Sequence, residues 1–238
     1  PEPGRREPKG CQVNHATGRP RFLVTGGAGF IGSHLCELLL ASGARVVAVD
    51  DLSTGRRSNL DAAFGRHPGQ LELVESTVAA ALPSLAGARF DAIYHLAAAV
   101  GVRLILDDPA GTAAANVAET DALLRHAAAH RTPFLLASTS EVYGKGTQVP
   151  FREDGDLAFG PPTASRWSYG LSKAVDEQMA LGHAARGGLP VVVVRLFNTV
   201  GPRQVGRYGM VLPRFVSAAL AGQPLEVHGS GAQVRCFC

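Results

Sequence analysis

The chain has little of what would place it in several common classes. Only four cysteines occur in 238 residues (Cys11, Cys36, Cys236 and Cys238), without paired spacing across the chain or a histidine at zinc-finger distance. That excludes a disulfide framework or a structural zinc site as the organising principle. Cys236 and Cys238 read as two thiols on alternate residues of a strand. No apolar stretch approaches the roughly 20 residues of a membrane helix, since runs such as Val191 to Val194 are only strand-length. A signal-peptide core is also missing, so the reading is a protein of the reducing cytoplasm that uses no membrane partner. Charge is sparse at 18%, the net charge is +3 and arginines are scattered, which argues against nucleic acid as the partner. Residues 1–20 combine Pro, Gly, Arg and Lys with no apolar periodicity and read as a flexible tail.

What the chain does have is alternation. Strand-like apolar runs at 21–25, 45–49, 71–74, 91–95, 133–138 and 191–196 are separated by Ala- and Leu-rich helical stretches at 29–42, about 112–130 and 164–186. This pattern predicts an α/β fold of the Rossmann type, a doubly wound parallel sheet covered by helices on both faces. Residues 21–198 form the expected nucleotide-binding domain. After Val200, glycines and prolines break the chain into loops around one helix near 211–221, so residues 199–238 read as the start of a small C-terminal lobe.

Three clusters carry chemistry. Strand 21–25 runs into Thr25-Gly26-Gly27-Ala28-Gly29-Phe30-Ile31-Gly32. There Gly26 allows a tight turn, Gly29 lets backbone approach a pyrophosphate and Gly32 permits close packing of helix on strand. Asp50 ends the next strand, where a carboxylate accepts hydrogen bonds from ribose hydroxyls and repels a 2′-phosphate, selecting NAD over NADP. Tyr169 and Lys173 lie four residues apart on one helical face, where an ammonium lowers a phenol toward use as a general base. Ser138-Thr139-Ser140-Glu141 ends the strand at 133–138, at the sheet edge where ligands bind. A hydroxyl there can share a proton with a substrate alcohol and Tyr169; Glu141 is either an acid, base or acceptor, or an ordinary loop carboxylate.

Together with His95-Leu96-Ala97-Ala98, Asn116 and Arg195-x-Phe197-Asn198, these segments resemble the NAD-dependent epimerase/dehydratase branch of the extended short-chain dehydrogenases. The resemblance covers nearly everything from Arg21 to Cys238. It implies NAD as cofactor, with Phe30, Ile31, Asp51, Ser53, Thr54, Gly55, Leu96, Ala97, Ala98, Asn116, Tyr169 and Lys173 joining the glycines and Asp50 around it. It also implies Thr139, Asn198, Arg207 and Arg235 around a nucleotide-sugar, and Thr139, Ser140, Glu141, Tyr169 and Lys173 as catalytic. A homodimer through the helices at 112–130 and 164–186 follows by the same analogy, and so does a further stretch of substrate lobe beyond Cys238. Thr139-Ser140-Glu141, Arg166-Trp167-Ser168-Tyr169 and the segment from Gly229 to Phe237 are most similar to UDP-glucuronate decarboxylases. Ser140 departs from the Asp-Glu that follows the threonine in 4,6-dehydratases, and Glu119 and Thr77 replace a Gly and an Asp frequent in the family. The alternatives are a UDP-hexose 4-epimerase, a nucleotide-sugar dehydratase and, from another class, a non-catalytic NAD-binding regulator.

Overall fold

A computed structural model describes residues 18–99, 107–146, 148–205, 210–227, 229–234 and 236–237. Six strands, β1 (Arg21–Thr25), β2 (Arg45–Asp50), β3 (Leu71–Glu75), β4 (Ala92–His95), β5 (Phe134–Thr139) and β6 (Val191–Leu196), pair in parallel in the order β3-β2-β1-β4-β5-β6. The chain direction across the sheet reverses between β1 and β4, and this switch point opens a crevice beyond their C-terminal ends. Register places Thr25 opposite both Val49 of β2 and His95 of β4, so the turn after β1 is flanked by the ends of both neighbours.

β2 is buried on both faces, which is why it reads as the unbroken run Val46-Val47-Ala48-Val49. Successive side chains still part to opposite sides. Leu23, Val47, Val49, Ile93, Phe134 and Leu136 pack beneath α3 (Val78–Leu85), α4 (Pro109–His130) and α5 (Ser168–Gly187). Val24, Val46 and Ala48 pack beneath α1 (Phe30–Ala41) and α2 (Asp61–Arg66). Helix ends follow local chemistry. Pro109 opens α4 behind Asp108, whose side chain caps Gly111 N–H, and α5 stops where Gly188 takes φ +63°.

The strands and long helices expected from the sequence are present, with no end moved by more than four residues and β1 and β6 at their expected bounds. α2 and α3 are additional. α2 is only six residues with Gly65 inside, and α3, which opens on the Thr77 cap and an Ala run, is only eight residues with Pro83 inside. α3 is held by burial of Val78, Ala81 and Leu85. α6 (Val211–Leu220) buries no side chain. Residues 1–17, most of the expected tail, lie outside the described residues. Pro20, at the tail's end, already accepts a backbone hydrogen bond from Arg45.

Candidate active site

The turn between β1 and α1 is built around what a side chain would obstruct. Gly26 takes φ +68°, and a Cβ there would lie 2.8 Å from Ala97 N. A Cβ on Gly32 would overlap the Gly26 carbonyl oxygen, so α1 can leave the turn only with glycine at both positions. Helix α1 begins at Phe30 and Ile31 after Gly29, with no side-chain cap and no acidic residue in its first turn. Its first N–H groups and positive dipole end therefore suit an anion, and a pyrophosphate fits this cradle.

Asp50 is buried at the end of β2. Its two oxygens accept from Ala28 N and Leu52 N, both at 2.9 Å, tying the glycine turn to the loop after β2. Burial raises its pKa above the carboxylate norm, partly opposed by those hydrogen bonds. Gly55 packs directly on this carboxylate, where a Cβ would sit 2.7 Å from Oδ1. Asp51 caps its own loop by accepting from Ser53 N at 2.9 Å and Ser53 Oγ at 2.6 Å, with Thr54 next in the chain.

Beyond β4, Leu96, Ala97 and Ala98 run along the crevice. Asn116 of α4 holds the segment by accepting from Ala99 N at 2.7 Å, and its amide reaches Ser172 Oγ, which donates to the Tyr169 carbonyl. Behind Ala97 lies a buried chain of polar groups. Ala97 N–H donates to Thr25 Oγ1, which is 2.8 Å from His95 Nδ1, and His95 Nε2 is 3.0 Å from Thr120 Oγ1. Burial pushes His95 down to about 3, with the positive Lys173 adding to the shift, so the ring is neutral.

Tyr169 and Lys173 both project from the buried face of α5. Gly170 lets this helix press against the 3₁₀ turn Ser140–Tyr143, since a Cβ there would be 2.9 Å from the Glu141 carbonyl oxygen. Thr139 caps that turn by accepting from Glu141 N at 3.2 Å, which leaves its own proton to give. Glu141 projects from the turn with its carboxyl raised, desolvation outweighing the attraction of Arg166. Ser140 lies half-buried beside it.

The expected lowering of the Tyr169 phenol is corrected here. Burial raises it above its usual value, and Glu141 and Asp176 add to the rise. Lys173 Nζ donates instead to Asp176 Oδ2 at 2.9 Å, in a pair almost wholly buried. A second acid missed in the sequence, Glu177, accepts from Ser138 Oγ and from Arg195 Nε and Nη2 of β6 at 3.0 and 2.8 Å. The Arg195 guanidinium also lies 4.7 Å over the Tyr143 ring, which stacks on Phe151. Spacing was the available signal: positions three and four beyond Lys173 must share its helix face.

Asn198 donates to the Cys236 carbonyl at 2.8 Å and so braces the C-terminal segment. Arg207 and Arg235 lie outside the described residues. The segment after β6 folds back on α1, where Arg203 pairs with Glu37 at 2.8 Å and donates to Ser33. Phe30 lies against Gly201.

Residues 22–238 match the sequence profile of the NAD dependent epimerase/dehydratase family. The chain is 40% identical over 221 residues to a UDP-N-acetyl-alpha-D-glucosaminuronate decarboxylase of Bacillus cytotoxicus, covering 92% of this chain and 67% of that one. It is 38% identical over 221 residues to UDP-glucuronic acid decarboxylase 1 of Xenopus tropicalis, covering 92% of this chain and 50% of the relative, so it spans about half of that protein. Among solved structures it is similar to a dTDP-glucose 4,6-dehydratase of Streptomyces venezuelae determined with NAD bound. The TM-score is 0.79 and the identity 33%, covering 91% of this chain and 67% of that one. A sheet that reverses at a glycine turn, an acid closing β2 and a Tyr-Lys pair facing the end of β5 are thus found where a matching sequence runs almost end to end, and the chain belongs to the NAD dependent epimerase/dehydratase family.

Proposed function

We propose that the protein is an NAD-dependent nucleotide-sugar enzyme that oxidises its substrate transiently at sugar C4, and that its reaction is decarboxylation of UDP-glucuronate. The observation that carries this reading is the seating of α5 through Gly170 against the turn after Thr139, which gathers Tyr169, Lys173, Thr139, Ser140 and Glu141 at one edge of the sheet. That edge adjoins the glycine cradle.

NAD, when bound, supplies the hydride acceptor. Tyr169 removes the proton of the sugar 4-hydroxyl, and Thr139 orients that hydroxyl and relays the proton. The 4-ketone so formed makes the uronate a β-keto acid, whose carboxylate leaves as carbon dioxide with its electrons drawn toward the ketone. Glu141 and Ser140 are the groups proposed to manage the proton that replaces it. Asn198, Arg207 and Arg235 are the proposed nucleotide-sugar contacts, the arginines suited to a diphosphate by charge and fork geometry. The intact Thr139, Tyr169 and Lys173 favour an enzyme over a regulator, since a binding module has no use for the triad.

Among the described residues no helix is long and apolar enough to cross a membrane. The proposed setting is the cytoplasm, and the proposed assembly is a homodimer through α4 and α5, where Leu171 and Val175 are exposed one helical turn apart.

The test is product analysis with the full-length parent protein, NAD and three substrates: UDP-glucuronate, its 2-N-acetylated uronate counterpart and UDP-glucose. Carbon dioxide and a UDP-pentose, or its 4-keto form, are expected from UDP-glucuronate. Preference for the acetylated uronate would move the substrate assignment. Interconversion of UDP-glucose and UDP-galactose without gas release would replace the decarboxylase reading by an epimerase.

A further inference from the structure

Asp176 stands three residues after Lys173 on α5, and the two side chains are 0% and 2% exposed. Its Oδ2 accepts from Lys173 Nζ at 2.9 Å. Its Oδ1 has no close hydrogen-bond partner among the described residues, although the Thr120 hydroxyl of α4 interacts with the carboxyl. A carboxylate withdrawn from water is costly, and a buried ion pair is weak support for stability, so packing alone gives no reason for an acid here. Its neighbours do give one. Tyr169, Lys173 and Asp176 occupy positions i, i+4 and i+7 of one helix and share a face. Thr120 of α4 faces the same carboxyl, with the neutral His95 of β4 behind it, and Glu177 is the other charge close by.

We infer that Asp176 is a positioning residue for the Tyr169–Lys173 pair: it fixes the Lys173 ammonium in a buried ion pair and offsets that cation's field at the Tyr169 hydroxyl. An unpaired ammonium one helical turn from a buried phenol would favour the phenolate strongly. The same ammonium tied to a carboxylate acts only as a dipole, whose field at the phenol is much smaller. Beside burial and the carboxyl of Glu141 on the turn after β5, the negative charge of Asp176 accordingly contributes to keeping the Tyr169 proton in place. In the functional reading proposed above, on which this consequence rests, the oxidised dinucleotide brings a second positive charge to the site. The base is then switched on by the oxidised cofactor and not by Lys173 alone, so an empty site or one holding the reduced cofactor keeps Tyr169 protonated.

The experiment follows the ionisation of Tyr169 directly. The chain has four tyrosines, so the tyrosinate absorbance lost in Tyr169→Phe isolates one phenol. Without dinucleotide, the onset of this signal in Asp176→Asn, which keeps the size of the side chain, is expected at least about one pH unit below the wild-type onset. Asp176→Glu, which restores the charge, is expected to return the onset toward wild type. A residue that merely supports the fold would leave the onset where it was in both variants. An unchanged or higher onset in Asp176→Asn therefore overturns the inference. Should Asp176→Asn fail to fold, Asp176→Ser carries the same expectation.

A companion measurement needs no variant at position 176: NAD is expected to lower the wild-type onset and NADH to leave it, and equal effects of the two overturn the inference. If neither dinucleotide binds, the functional reading fails, while the dinucleotide-free comparison of Asn and Glu still decides the role of Asp176.

Discussion

Acidification should find this fold weak at one buried ring. His95 lies between Thr25 and Thr120 with 1% exposure, and its pKa falls from 6.5 to about 3 on folding, chiefly through burial. The unfolded chain binds a proton there near pH 6.5 and the folded chain only near 3, so protons favour the unfolded state throughout that window. Stability linked to His95 is complete above about pH 6.5 and is lost as pH falls toward 3. The full difference corresponds to roughly 5 kcal/mol, of which about 2 kcal/mol is already lost at pH 5 relative to pH 8. Asp50, Glu119 and Asp176 act in the opposite sense, because burial raises them and the folded state binds their protons more readily. A comparison with His95→Gln, which removes the titration, separates the two. Urea unfolding of both proteins at pH 8 and pH 5 is expected to show about 2 kcal/mol more acid loss in the wild type than in the variant. Equal losses would mean that His95 is protonated in the native state or already shielded in the unfolded one, and the argument from burial would fail.

Three further outcomes are expected. Gly32→Ala, which helix propensity alone would make favourable by up to about 1 kcal/mol, should instead destabilise by about 1–3 kcal/mol and weaken NAD binding, because the new methyl meets the Gly26 carbonyl; urea unfolding and dinucleotide titration measure both, and a gain in stability would refute the packing reason given for that glycine. NAD should bind more tightly than NADP, with Asp50→Ala narrowing the gap, since the Asp50 carboxylate closes β2 beside the turn; equal or tighter binding of NADP to the wild type would show that Asp50 does not read the ribose. In the full-length parent, Tyr169→Phe should leave NAD binding nearly intact and lower turnover at least about a hundredfold, whereas Lys173→Met should injure both binding and rate; near-normal turnover of the Phe variant would remove Tyr169 from the mechanism.

Sequence by itself was sufficient for the parts of this protein that depend on local pattern. Apolar runs of strand length, separated by helical stretches, specify a doubly wound sheet because each strand must be covered on both faces. Gly26, Gly29 and Gly32 are legible for the same kind of reason: a turn that brings backbone against backbone tolerates no other residue, so the spacing of glycines records the geometry. The four-residue interval between Tyr169 and Lys173 already put them on one face. Helices α2 and α3 were not legible, because they are only six and eight residues long, broken by Gly65 and Pro83, and are completed by burying Leu60, Ala63, Val78, Ala81 and Leu85 in the core.

The charge state of the site was likewise decided only in three dimensions. Whether Lys173 lowers the phenol depends on what else reaches its ammonium, and that partner is Asp176, set by the packing of α5 against α4 and β5. Ser138 and Arg195, separated by 57 positions, are joined through Glu177 because β5 and β6 lie side by side under one helix. A one-dimensional pattern records which residues share a face, but hydrogen-bond partners and desolvation are properties of the surroundings. Those surroundings exist only after distant segments have packed.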